Sequence, residues 1–563
     1  MVEKLQEVTT FYEFAKPEIK EFPRLLHFLR KTTSMRLTKI LKTLHNKTKK
    51  VVKDAETFLK DNNINPYFIL PMNPKIPLLY SLTKLHKNNS PIRPIISSID
   101  SSTYRICKFL IQFFKNVINF KADYAITNRY ELIETLKSLH LPKNFTLLSF
   151  DVTNLYTNVP VNETLNIAKH IIEEKVDSKN VEHIFNLLKI CTEQNFCQFN
   201  DKFYQYNEGL PMGSPLSGLL SDIYIENKIF HKDNINNNNI VLWRRYVDDI
   251  LIIWDDDGFN LIDDFHKYIN NLHKNLKFTI EIEKHKQLNF LDLTLVNADY
   301  SIQYKIYRKP TQTDTIIPYH SHHITTHKLA AFNAYLYRCF NTPLSNEDRN
   351  TEINIIKSIG INNGFQLSQI DKIINKFIFK QNLNNSTGLQ PITQNFDTYR
   401  SITYPGKIAH NIRNIFNKYG INISYKNNHT LQKLLHNAKD KLDLLELNGV
   451  YSLECNTCGA TYIGETGREL KTRIREHLIK PNSNFGKHLS LHNHTFDIKE
   501  NVTLIHKQNK GHKLELLESY EIDKFIKTNT RLECLNDQVL PLKPPLYKCL
   551  NNPFPQNTED QCT

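Results

Sequence analysis

The run Trp243-Arg-Arg-Tyr-Val-Asp248-Asp249-Ile-Leu-Ile-Ile-Trp254 constrains the fold of this 563-residue chain more than any other segment. Two β-rich runs meet at an Asp-Asp pair, with no glycine or asparagine to make a favoured two-residue turn. Strands this apolar are expected to be buried. Carboxylates at their tip then stand near low-dielectric surroundings, which is costly unless a cation neutralises them. About a hundred residues upstream, the apolar run Thr146–Phe150 ends on Asp151. Such a set suits magnesium, which takes hard oxygen ligands and keeps positions open for water and phosphate. Two such ions about 3.5–4 Å apart clamp the attacking and leaving oxygens of an in-line phosphoryl transfer. The plain alternative for the dipeptide alone is a solvent-exposed hairpin tip.

Glycine is scarce: 15 of 563 residues, under half the average usage of about 7%. Three of them lie in Gly209-Leu-Pro-Met-Gly213-Ser214-Pro-Leu-Ser-Gly218 and four in Gly449–Gly467. A chain that otherwise avoids glycine keeps it where backbone turns sharply or meets a ligand closely. The two windows therefore mark two candidate sites. The first reads as a glycine turn entering a helix, where Gly213 and Ser214 would let a nucleotide and template lie against the backbone. Upstream, Lys84 and Arg93 in LTKLHK…PIRPI are candidates to grip a triphosphate.

The organisation reads as multidomain α+β. Residues 1–80 are basic and helical, closed by Pro66, Pro71, Pro74 and Pro77. Residues 81–310 alternate short β-rich runs with helical stretches. Residues 311–385 read as helical, with His327, Lys328, Phe332, Tyr335, Tyr337 and Arg338 interleaving cations and rings. Residues 386–446, rich in Asn, Ser, Thr and Pro, read as a connector, 447–545 as a compact β-then-α module, and 546–563 as a tail.

Taken in order, SFDVTNLYTNVP, GLPMGSPLSGLLSDIYIE, RRYVDDILIIW, LNFLDLTL and YRKPTQTD resemble the reverse transcriptase of Penelope-like retroelements, a relative of telomerase reverse transcriptase. The resemblance implies a right-hand polymerase with fingers and palm over 81–310 and a thumb over 311–385. It implies that Asp151 and Asp248 bind two magnesium ions, with Asp249 supporting them, and that Tyr156 stands at the steric-gate position, favouring deoxynucleoside triphosphates. The thumb would lay cations and rings along a template–primer duplex.

The second glycine window opens Gly449-Val-Tyr451 and Tyr462-Ile-Gly464, followed by Arg473 and His477 at i, i+4 and by Glu518 further on. Cleaving a phosphodiester needs a water activator, a cation at the phosphate and a metal-holding carboxylate. The set resembles the GIY-YIG endonuclease domain, with valine as the second residue of the first motif. By that resemblance Tyr451 and Tyr462 orient or activate water, Arg473 stabilises phosphate charge, His477 assists, Glu518 holds one magnesium ion, and Asn536 matches a later asparagine. Cys455-x2-Cys458 and His488-x5-His494 add two thiolates and two imidazoles, a closed tetrahedral zinc set, with His492 able to replace either histidine. Penelope-like endonucleases are similar in having such a set. The remaining seven cysteines show no ligand spacing.

Lys and Arg number 72 against 58 Asp and Glu, a net charge of +14. A polyanion is the natural partner of such a surface. The expected partners are an RNA template (the element's own transcript), target DNA and deoxynucleoside triphosphates, with no membrane: no apolar run is long enough to span one, and the opening residues hold no signal-like apolar stretch. Nine cysteines, odd in number and unevenly spaced, fit a reduced intracellular compartment. A nuclear location follows from the resemblance, with Lys47–Lys53 as the basic patch. The combined expectation is an RNA-directed DNA polymerase that copies RNA from a nick it makes itself. The rivals are a decayed or domesticated copy that only grips nucleic acid, and a nuclease carried on a non-catalytic front half.

Overall fold

Strands that are apolar at every position need cover on both faces, and that is how the Asp-Asp hairpin is housed. The computed structural model describes residues 30–32, 34–83, 92–200, 202–206, 208–230, 239–255, 260–387, 398–427, 439, 442–479, 483–528 and 533–537. Asp249–Asp255 and Phe145–Val152 are the central pair of a four-stranded antiparallel sheet, flanked by Ile240–Tyr246 and Phe278–Ile282. One face packs Leu148, Phe150, Trp243, Ile250, Ile252 and Trp254 against helices that include Leu216–Tyr224 and Asn260–Leu272. The other buries Leu147, Leu242, Leu251 and Ile253 against helix Arg129–Lys137 and a small antiparallel sheet, Gln287–Phe290, Leu293–Asn297 and Ile302–Ile306.

A second, five-stranded sheet runs in the order Arg30–Thr32, Lys202–Gln205, Phe196–Phe199, Leu78–Thr83, Ile92–Ser97. It runs across the expected boundary at residue 81: strand Leu78–Thr83 spans it, strand Arg30–Thr32 pairs with Lys202–Gln205, and helix Ser34–Asp54 buries Leu44 and Val52 in the cores beneath. In the basic patch, Lys47 pairs with Glu193 at 2.5 Å. Lys84 lies outside the described residues, as do residues 1–29, the tail 546–563 and most of the asparagine run at 236–239.

The glycine turn is seated between these sheets by its lack of Cβ atoms. At Gly209 (φ +78°) a Cβ would meet the Thr157 carbonyl oxygen at 2.3 Å, and at Gly213 (φ +116°) the Ile96 carbonyl oxygen at 2.5 Å. Both are backbone contacts, so nothing can swing away. The turn is tied down by Leu210 N–H to Tyr156 O at 2.6 Å and Ile96 N–H to Met212 O at 2.7 Å.

Helices Thr325–Asn341, Asn346–Asn362 and Leu367–Thr387 pack around Phe332, Leu336, Ile356 and Ile370. This corrects part of the expected cation-and-ring surface. Phe332 is fully buried, and the Arg338 side chain is 12% exposed, paired with Asp292 and Glu352. His327 and Tyr337 do face outward. The expected connector also folds in part: Thr398–Thr403 and Ile421–Lys426 are parallel strands joined through helix Ala409–Asn417. The last module is a three-stranded antiparallel sheet ordered Thr461–Thr466, Gly449–Glu454, Val502–Lys507, packed with helices Leu470–Ile479, Asn484–His492 and His512–Thr528. Among the described residues, no helix is long and apolar enough to cross a membrane.

Candidate active sites

Register brings the aspartates together. Asp151 stands directly opposite Asp249, and Val152 N–H donates to Asp248 O at 2.9 Å across the same pair of strands. That bond makes Asp151 and Asp249 a non-hydrogen-bonded pair, the kind whose Cα atoms approach to about 4.5 Å with side chains on one face. The expectation of near-burial is corrected: Phe150 and Ile250 beneath are buried, but Asp151, Asp248 and Asp249 are all solvent-exposed. Like charges directly opposite each other repel, and that repulsion, not desolvation, is what a cation bound there would relieve.

The turn itself is strained. Val247, between Tyr246 and Asp248, has φ +57°, a left-handed conformation that β-branched residues rarely adopt. Arg245 holds it. Its side chain is 1% exposed and donates to Val247 O at 2.9 Å and to Asp222 Oδ1 at 2.8 Å, with Glu226 Oε1 at 3.5 Å. Asp222 and Glu226 are four residues apart where helix Leu216–Tyr224 passes into a π-helical turn, Ile225–Ile229, a distortion common at functional sites. The sequence reading missed all three. The available signal was Arg245 itself, a charge at a position whose strand neighbours alternate inward.

Around this centre, Tyr156 is half-buried, and its phenol is pushed above the usual range by burial and then by Asp222 and Asp248. Arg93 is exposed on strand Ile92–Ser97. Gly213 is exposed, Ser214 is half-buried, and a Cβ on Gly218 would meet nothing within 4 Å, so this side of the turn is open.

The second site is a cleft of about 610 Å3 lined by Tyr462, Arg473, Glu476, His477, Asn484, Glu518 and Asp537 among others. Tyr451 lies beneath it, fully buried; its hydroxyl is 2.8 Å from His477 Nε2 and accepts from Arg473 Nε at 3.3 Å. Gly464 pairs with Tyr451 across the strands, and a Cβ there would sit 2.7 Å from the Tyr451 hydroxyl, so glycine is what lets that ring lie across the sheet. Asn536 brackets Ile463, accepting from its N–H at 3.0 Å and donating to its carbonyl at 2.6 Å. Burial raises the Tyr451 and Tyr462 phenols. It lowers His477 to about 4, helped by Arg473. Glu518 is pushed up to about 7, by burial first and then by Glu465.

Beside the cleft, Cys455, Cys458, His488 and His494 bring one ligand atom each within 4.8 Å of one another. Cys455 Sγ is 3.4 Å from His494 Nδ1, Cys458 Sγ 3.3 Å from His488 Nε2, and the two imidazole nitrogens are 3.1 Å apart. Tetrahedral bonds of about 2.3 Å to sulfur and 2.0–2.1 Å to nitrogen span edges of about 3.3–3.8 Å, so this donor set fits zinc. His492 lies against His488, its ring tilted by 49° at 5.2 Å between ring centres, and stays outside the cluster.

Residues 85–332 match the family model described as reverse transcriptase (RNA-dependent DNA polymerase). This part of the chain is a reverse transcriptase domain. Residues 315–375 match the model of the animal helix-turn-helix domain, over the helices after it. No match to a curated protein was found. Among solved structures, the chain is similar to telomerase from Candida albicans in complex with a TWJ fragment of telomeric RNA (12% identity, 67% of this chain and 63% of that one, TM-score 0.41). It is also similar to telomerase from Candida tropicalis with such a fragment (13%, 58% and 63%, 0.34), and to the BmCPV RNA-dependent RNA polymerase at elongation state (12%, 68% and 34%, 0.33). The chain thus spans 63% of the Candida albicans telomerase chain that it matches. Reverse transcriptase domains use divalent metal ions, which the facing Asp151 and Asp249, with Asp248 next in the turn, suit.

Two expectations follow from the geometry. Arg245→Lys keeps the charge and loses the planar fork, so nucleotide incorporation should fall about 100-fold, the scale of a 1 Å misplacement, while the thermal midpoint moves little; an unchanged rate would remove Arg245 from this role. For Glu518, the folded-state pKa lies above the ordinary carboxyl value, so its stabilising contribution is complete below about pH 4.5 and is lost as pH rises through about 7. Without added magnesium, the thermal midpoint of Glu518→Gln relative to the parent should therefore climb between pH 5 and 7 and then level. The opposite trend from His477 is common to both proteins and cancels; a flat difference would contradict the assignment.

Proposed function

We propose that the chain is an RNA-directed DNA polymerase and DNA-nicking endonuclease of a Penelope-like retroelement, working by target-primed reverse transcription. The observation that carries the polymerase reading is the register that sets Asp151 against Asp249 beside Asp248. In this reading the two sheets are palm and fingers and the three-helix bundle is the thumb. Asp151 and Asp248 hold two magnesium ions, with Asp249 in support. Ions held by these carboxylates would supply Lewis-acid activation of a primer 3′-OH and charge neutralisation for the leaving pyrophosphate. Gly213 and Ser214 present backbone to the incoming nucleotide, Lys84 and Arg93 meet its triphosphate, and Tyr156 crowds a ribose 2′-OH.

The nuclease reading rests on the second cleft, where Tyr462, Arg473 and Glu518 share one cavity. Glu518 holds one magnesium ion. Arg473 meets the scissile phosphate, and Tyr462, facing the cleft, orients the water. Tyr451 lies behind them with His477, and its bond to Arg473 fixes the guanidinium. The neutral His477, lowered by burial, is suited to relay a proton through the Tyr451 hydroxyl. A structural zinc on Cys455, Cys458, His488 and His494 clips the first hairpin of this sheet to the helix beside it. Nicking leaves a 3′-OH and copying needs one, so one chain supplies its own primer. Nuclear localisation belongs to the same reading, because the target DNA is there.

Asp248→Asn should abolish magnesium-dependent primer extension on an RNA template and leave nicking intact, and Glu518→Gln should do the reverse. If each variant kept both activities, the assignment would be wrong. Cys455→Ser should release about one zinc per chain and lower the thermal midpoint of the C-terminal module, since metal binding there contributes to folding. Metal analysis of the purified parent protein that found no zinc would end that part of the reading.

A further inference from the structure

The segment expected to be a connector has an unusual composition for this chain. With 58 Asp and Glu in 563 residues, thirty residues carry about three on average, yet residues 398–427 carry none. They hold Arg400, Lys407, Arg413, Lys418, Lys426 and His410, together with Tyr399, Tyr404, Tyr419, Tyr425 and Phe416. The stretch folds as two parallel strands and one helix. Its own core is small: Ala409, Ile423 and Tyr425, with Ile402, Tyr404 and Ile421 around them. It also takes in Ile324, the residue that precedes helix Thr325–Asn341, which fixes the unit to the N-terminal end of the three-helix bundle.

A two-stranded sheet is marginal alone and parallel pairs are usually covered, so a unit of this kind has surface to offer. At the end of helix Ala409–Asn417, Phe416 and Tyr419 are exposed, Tyr419 by 77%, with Lys418 exposed between them. Lys426 and Ser424 are exposed on the strand that follows. Neither Phe416 nor Tyr419 belongs to the core cluster, so their exposure is not a by-product of packing that unit. Rings set among cations, with no carboxylate in the whole stretch, attract a polyanion. Open rings also suit unpaired bases, which a duplex hides within its stack.

We infer that residues 398–427 bind single-stranded RNA, holding template close to the end of the bundle. Phe416 and Tyr419 stack on bases, and Lys418 and Lys426 meet phosphates. The choice of RNA rests on the polymerase reading; the surface itself does not.

The test uses the full chain without added magnesium, nucleotide or chelator, where no copying occurs, and a fluorescent unstructured 20-nucleotide RNA read by anisotropy. Phe416→Ala with Tyr419→Ala should weaken binding roughly tenfold or more, while Tyr419→Phe stays within twofold. Lys418→Ala with Lys426→Ala should weaken it and reduce the salt slope by about 1.4, the value for two phosphate contacts on a single strand. Duplex DNA binding and the thermal midpoint should not change. RNA affinity unchanged in both double variants would overturn the inference. So would an equal loss for duplex DNA, or a drop in oligomer mass by light scattering with RNA binding intact, which would assign the surface to a second copy. Failure of primer extension with RNA binding as expected would strike the polymerase reading alone.

Discussion

The pairing of Phe145–Val152 with Asp249–Asp255 is the constraint on which the first site depends. Seven consecutive cross-strand partners, from Phe145 opposite Asp255 to Asp151 opposite Asp249, fix where the carboxylates stand. A slip of one residue would turn every side chain to the other face. Both faces are buried, so such a slip is costly, and burial along the whole strand secures a geometry at its exposed end. The stored strain sits one residue away, at Val247, and is held by a buried guanidinium that also binds Asp222 and Glu226. The helix that follows the glycine turn and the hairpin are thereby tied to one another through Arg245.

The module that holds the second site contacts the N-terminal part of the chain directly. Asn73 Nδ2 donates to Glu446 O at 2.9 Å and to Asn448 Oδ1 at 3.1 Å, and Lys75 reaches the same Glu446 carbonyl. Asn448 in turn donates to Gln508 O at 2.9 Å, bridging to the loop that precedes the Glu518 helix. Gly467 contributes by what it lacks: a Cβ there would sit 2.7 Å from Lys510 Cβ and 3.1 Å from Met72 Sδ. The glycines of the second window therefore serve two needs, seating a buried tyrosine at Gly464 and admitting the segment around Met72 at Gly467.

Much of this was legible in the sequence because the signals were local. The apolar runs around Asp248 and Asp249, the clustered glycines and the Cys-x2-Cys and His-x5-His spacings each name a residue type that its surroundings require. Arg245 was not legible, because its meaning depends on Asp222 and Glu226, some twenty residues away on another element. The unit at 398–427 was hidden by its asparagines and serines, which read as loop, while its strands gain stability only by pairing with each other across a helix. Phe332 and Arg338 went the other way: a stripe that looked like surface turned inward, since periodicity alone does not say which face meets the core.

The central claim is that Asp151, Asp248 and Asp249 together hold a pair of divalent ions. Manganese in place of magnesium, with template, a chain-terminated primer and the next nucleotide, allows electron paramagnetic resonance to read it directly. The account predicts an exchange-coupled two-manganese signal, as expected at about 3.5–4 Å, that disappears in Asp151→Asn. A signal of isolated ions only, or a coupled one indifferent to that substitution, would contradict it.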